Sequence, residues 1–192
     1  MKGQQDVLST ILISGILIAV VGSVYFWGVP LIEKNQDISI LQNSEDFMNS
    51  LNSKIKFIAN NGGKDQLRIT IPGTLEISGE EIQMTVDTKG TIYAAEAEIP
   101  LGRNECPRVD GVWGLHESHV FCVKSNKIDD TKITTTYSLK YIELDAPDSG
   151  KKYKIEATGE SIGSTERTVV IENLGIFEES GITKTRLRLD IV

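Results

Sequence analysis

The chain has 192 residues, 40% hydrophobic and 24% charged, and its 27 acidic side chains outnumber its 20 Lys and Arg for a formal net charge of −7. No basic patch offsets that excess, which excludes nucleic acid as a partner. The length leaves room for one domain able to bury its own core, without a second.

Residues 7–32, VLSTILISGILIAVVGSVYFWGVPLI, carry no charge. As a helix rising about 1.5 Å per residue, this stretch is long enough to cross a hydrocarbon core of about 30 Å. It is too long for the apolar core of a cleaved secretory signal, and no small-x-small cut site follows it. Tyr25, Phe26 and Trp27 stand where aromatic rings favour the membrane–water interface, and Glu33 and Lys34 close the run. Lys2 is the only cation on the short side, which predicts a single pass with the N-terminus inside and residues 33–192 outside. Gly15 and Gly22, with Ser14 and Ser23 beside them, offer small surfaces for close helix approach.

From residue 33 the pattern becomes amphipathic. Leu41, Met48 and Ile55 recur every seven residues with Leu51 and Ile58 alongside, while Ser44, Glu45, Asn49, Asn52 and Lys56 fill the other faces. This predicts a helical stalk over 33–60, ended by Asn60-Asn61-Gly62-Gly63, a run suited to the left-handed conformation. Pro30 lacks a backbone donor and should bend the join. The expectation is one long kinked helix from about residue 6 to 59, with a break at 35–39 as the alternative.

Beyond Gln66 the period switches to two. Leu67/Ile69/Ile71, Leu75/Ile77, Ile82/Met84/Val86 and Leu187/Leu189/Ile191 alternate with polar residues, as half-buried strands do. Further strands are expected over 91–99, 119–124, 132–144, 153–157 and 167–172, punctuated by Pro72-Gly73, Ser78-Gly79, Lys89-Gly90, Asp148-Ser149-Gly150 and Ser180-Gly181. The fold class is therefore α+β: a long N-terminal helix followed, over 66–192, by an antiparallel β-sandwich or partly open β-barrel. The β part from Asp65 onward is expected to fold by itself.

Cys106 and Cys122 are the only cysteines. On the outer side of a membrane a disulfide is the default, and closing a loop of this length stabilises by roughly 3 kcal/mol in the chain-entropy model. The alternative is a structural metal site, because His116 and His119 fall between them in C-x9-H-x2-H-x2-C. The intervening loop, Arg103 to Ser118, reads as a displayed contact loop or as a plain connection pinned by the bridge. No G-x-S-x-G nucleophile turn, P-loop, H-E-x-x-H or calcium-loop spacing is expected. The acid pairs Glu80-Glu81, Asp129-Asp130 and Glu178-Glu179 read as solvated turn residues. Neither an enzymatic activity nor a cofactor is expected.

A few residues, a spanning helix, a stalk and a β domain together resemble the archaeal type IV pilin-like proteins, a group that includes pilins and archaellum filament and stator subunits. Lys2-Gly3-Gln4 directly before the apolar run, the uninterrupted helix and Pro30 carry the resemblance. It implies cleavage by a prepilin peptidase between Gly3 and Gln4, which makes residues 1–3 a leader and 4–32 the filament-core helix. Many relatives place an acid at the fifth mature position to dock the incoming subunit. Here that position is Leu8, and Asp6 is the nearest acid, assigned to assembly with Gly15, Gly22 and Pro30. The resemblance further implies a structural subunit, held in the membrane and then drawn by an assembly ATPase and platform into a helical extracellular filament. The alternative is a permanently anchored binding module, stator-like or adhesive.

Overall fold

With no glycine and no second proline between Leu31 and Asn61, nothing interrupts the helical hydrogen-bond ladder after Pro30. The computed structural model, which describes residues 2–192 and side chains from Ser9 onward, accordingly has one helix, α1, Lys2–Asn61. It runs without a break through residues 35–39, so the alternative of two separate helices does not hold. Its rise of about 1.5 Å per residue makes it about 90 Å long. The end comes where the sequence predicts it: Gly62 takes φ 75° and its N–H donates to the Ile58 carbonyl at 2.8 Å. The side chains of Gly3, Gln4 and Asp6 lie outside the described residues.

The strands are β1 Lys64–Arg68, β2 Thr74–Gly79, β3 Glu81–Thr88, β4 Glu98–Pro100, β5 Asp110–Val112, β6 His119–Lys127, β7 Ile133–Tyr141, β8 Glu143–Ala146, β9 Lys151–Ser164, β10 Thr168–Glu179 and β11 Ile182–Ile191. They form an open, mostly antiparallel sheet in the order β1-β10-β11-β9-β2-β3-β7-β6-β4, with β8 added to β9 and β5 to β8. Two pairings are parallel, β9 with β11 and β5 with β8, where an antiparallel arrangement was expected throughout. The first arises because β11 inserts between β9 and β10 instead of extending the sheet beyond them.

Strand β9 joins the two leaves of the sheet. Lys152 to Thr158 pair with β11, and Gly159 to Ser164 pair with β2. Gly159 sits at the change of partner, where a Cβ would come within 2.2 Å of the Leu189 carbonyl oxygen. Glycine is thus required there by close backbone approach.

Both leaves turn their apolar faces to the second half of α1. Leu41, Met48, Leu51, Ile55 and Ile58 pack in one core with Ile69, Leu75, Ile82, Met84, Tyr137, Leu139, Val169, Ile171, Leu187 and Leu189. Ser44 and Asn52, expected on the solvated faces, are buried as well. The Ser44 hydroxyl is satisfied by the Ile40 carbonyl at 2.8 Å, which lets it occupy the stripe without cost to another donor. The stalk and the β part therefore differ in secondary structure but share one core. Fully burying each of the five helix side chains stabilises by about 1.5–3 kcal/mol. Their sum is comparable with the whole net stability of a domain, about 5–15 kcal/mol.

Candidate functional site: an exposed apolar helix strapped to the sheet

The first half of the described helix carries its large apolar side chains on the outside. From Ser9 to Ile32 its side chains lie open, Trp27 at 84%, Phe26 at 79% and Ile18 at 74% exposure. The segment is long and apolar enough to cross a membrane. Gly15 and Gly22 have nothing within 4 Å of where a Cβ would stand. Ala19 lies four residues after Gly15 and four before Ser23, so these residues make a narrow row of small side chains at helical spacing. The sequence pattern already marked Gly15, Gly22, Ser14 and Ser23 as small surfaces; the four-residue spacing was the signal for Ala19. Ser23 turns its hydroxyl back onto the Ala19 carbonyl at 2.8 Å, so the row presents no unpaired hydroxyl at that point.

A strap holds α1 to the sheet where the apolar segment ends. Residues 91–97, expected as strand, instead run against the helix with a single bridge, Ala95 to Ser125, and only Glu98–Pro100 forms a strand. The backbone N–H groups of Lys89 and Gly90 both donate to Asp37 Oδ2, at 3.1 and 2.8 Å, and Lys89 Nζ pairs with Glu33 at 2.7 Å. Tyr93 donates to Glu45 at 2.9 Å, and its ring meets Tyr137 edge-on at 6.0 Å. Burial first, and the neighbouring Glu45 carboxylate after it, push the Tyr93 phenol up to about 12. Local alternation over 91–99 gave no sign of this, because the helix carboxylates that recruit the strap are more than 45 residues away.

A second polar contact lies deeper. Asn52 Nδ2 donates to His119 Nε2 at 2.9 Å, and Tyr141 donates to Asn52 Oδ1 at 2.8 Å. This arrangement makes Nε2 an acceptor, so the imidazole is neutral. Burial, and then the Lys56 ammonium, lower its pKa to about 4, against the opposing pull of Glu117 3.7 Å away. Asn104 ties the following loop to the same place, donating to the carbonyls of Glu117 and His119 at 2.8 and 2.6 Å.

The four residues of the alternative metal site are not brought together as ligands. Cys106 and Cys122 are joined in a disulfide, with Cα atoms 6.3 Å apart, which removes both thiolates. His119 faces the helix, and His116 Nδ1 accepts from the Val112 N–H of its own turn at 3.0 Å. Within the acid pairs, Glu80 and Glu81 meet Lys154 and Lys140, and Asp130 meets Lys127.

One catalytic pattern does occur. Gly159-Glu160-Ser161-Ile162-Gly163 matches G-x-S-x-G, the nucleophile turn of many hydrolases. That turn needs a strand-to-helix corner, whereas these five residues lie within β9, paired with β2. Ser161 Oγ accepts from the Ile191 N–H at 3.2 Å, and the glycines admit Leu189 and Ile191 of β11. Close strand packing accounts for the motif. No protein family, curated protein or solved structure matches this chain.

Proposed function

We propose that this chain is a non-enzymatic structural subunit of an archaeal type IV pilus-like surface filament, assembling through its apolar N-terminal helix. The observation that carries the reading is the contrast within α1: the large apolar side chains from Ile11 to Ile32 lie exposed, while Leu41, Met48, Leu51, Ile55 and Ile58 are buried in the sheet core. An apolar helix leaves lipid only for surroundings equally apolar, and a bundle of identical helices provides them. The row of Gly15, Ala19 and Gly22 is where neighbouring helices would approach most closely. The disulfide-pinned β domain then lies on the outer face, and cleavage between Gly3 and Gln4 precedes entry. Chain movement comes from a partner ATPase and platform.

The test is made on cells. Sheared surface fractions should contain long filaments of this chain, and Ala19→Asp should abolish them while the β domain stays folded. Gly3→Val should leave the leader attached and keep subunits in the membrane. A parent protein that stays in the membrane as a monomer or small oligomer, with an intact N-terminus, would favour the permanently anchored binding module instead.

A further inference from the structure

The last turn of α1, with Lys56, Ala59 and Asn60, stands beside the sheet without filling all the space over it. A cleft of about 340 Å3 opens there, between the end of α1 and the loop that follows β5. Its floor is apolar, with Ile142 and Leu144 buried and Ile155 half-buried. One wall is Trp113, whose backbone N–H donates to the Asp145 carbonyl at 2.8 Å and whose ring leans on Tyr153 at 5.2 Å, 52° from parallel. The indole remains 59% exposed, too open to be a core residue.

Besides Lys154, which pairs with Glu80 at 2.6 Å, six polar side chains border this floor: Lys56, Asn60, Ser118, Tyr153, Thr183 and Thr185. Among the described residues, none of these six makes a side-chain hydrogen bond or ion pair to another protein group. Elsewhere in the fold Thr88, Thr134, Thr135 and Thr165 use their hydroxyls internally. Lys54, Lys152, Lys154 and Lys184 each hold a carboxylate, while Lys56 holds none. Partial burial lowers the Lys56 pKa from its ordinary value, against the opposing charge of Glu117. An apolar platform ringed by convergent unspent polar groups is the usual build of a small-ligand site, and this volume lies at the small end of the range.

We propose that the cleft binds an acidic sugar, a hexuronate residue or two of a surface polysaccharide. The C–H face of the sugar ring lies against Trp113, its hydroxyls reach Thr183, Thr185, Ser118 and Asn60, and its carboxylate reaches Lys56. A purely apolar peptide side chain would cover the floor but leave those hydroxyls dry, at about 1–3 kcal/mol for each one unsatisfied. The acidic balance of the chain as a whole does not oppose the fit, because charges beyond about 8 Å are largely screened at physiological salt. This site is independent of how the helix assembles.

The test uses the full chain in detergent micelles with Trp27→Phe, so that Trp113 alone reports by fluorescence. Trimers of galacturonate and of glucuronate are compared with neutral galactotriose and with the peptide acetyl-Ala-Leu-Val. At least one uronate trimer should saturate the signal and bind about tenfold or more tighter than galactotriose, with the advantage shrinking as salt rises. Lys56→Met should erase the difference between acidic and neutral sugars, and Trp113→Ala, followed by calorimetry, should lose binding of both while circular dichroism is unchanged. Equal affinity for acidic and neutral trimers, tighter binding of the peptide, or no saturation by either uronate at about 10 mM would overturn the proposal.

Discussion

Tyr137 on β7 donates its phenolic hydrogen to the Leu41 carbonyl at 2.8 Å, joining the sheet to a helix residue 96 positions earlier. The phenol is fully buried, and burial raises its pKa above the ordinary value, so it stays a donor at any working pH. Because the Leu41 carbonyl also belongs to the helical ladder, Tyr137→Phe should leave no acceptor wholly unpaired. The expected loss is about 1 kcal/mol, read as a lower urea midpoint at unchanged slope.

The shared core makes the stalk indispensable. A chain starting at Asp65 loses Leu41, Met48, Leu51, Ile55 and Ile58 from the sheet face and should not fold, contrary to the expectation from sequence. A chain starting at Glu33 keeps the stripe and the strap and should give a dispersed amide spectrum. Dispersion from the Asp65 chain would show that the sheet holds its own core.

His119 makes stability fall on acidification. Its folded pKa, about 4, lies below the ordinary 6.5, so between those values the unfolded chain takes up a proton that the native state refuses. Stability from this group is complete above pH 6.5 and declines toward pH 4, by about 3 kcal/mol in all. Urea unfolding across that window should trace the decline, and His119→Gln should flatten it. The paired carboxylates Asp65, Asp87 and Glu156, whose pKa values are lowered, act in a separate and more acidic window.

Gly159→Ala should cost about 2 kcal/mol or more, since the new Cβ meets the Leu189 backbone, which cannot move without parting β9 from β11. Ser161→Ala, two residues on, should change thermal unfolding little. A fluorophosphonate probe should leave Ser161 unlabelled, because the serine stands in a strand ladder rather than at a strand-to-helix corner.

Local signals were legible in the sequence: the end of α1 at Asn60-Asn61-Gly62-Gly63, the alternation of Ile82, Met84 and Val86, and the turn at Ser180-Gly181. Each depends on neighbours a few residues away. What the sequence did not disclose depends on distant partners. Asn52 is polar by type and buried by virtue of His119 and Tyr141. Tyr93 alternates like a strand residue, yet it is drawn to Glu45 across the helix. The insertion of β11 beside β9 leaves no local trace, because an apolar/polar period of two is the same for parallel and antiparallel neighbours. For the candidate site, the apolar run was legible, whereas the strap that orients it was not.

The continuity of α1 from Ser9 to Asn61 also decides how the fold bears mechanical load. A pull on the N-terminal segment meets no loop before it reaches the sheet. Tension along the axis must slide Leu41, Met48, Leu51 and Ile55 past the sheet together, while the Asp37 and Leu41 hydrogen bonds resist at the same moment. Contacts loaded in parallel share the force instead of yielding one at a time, so the β domain should withstand traction far better along the helix than across it.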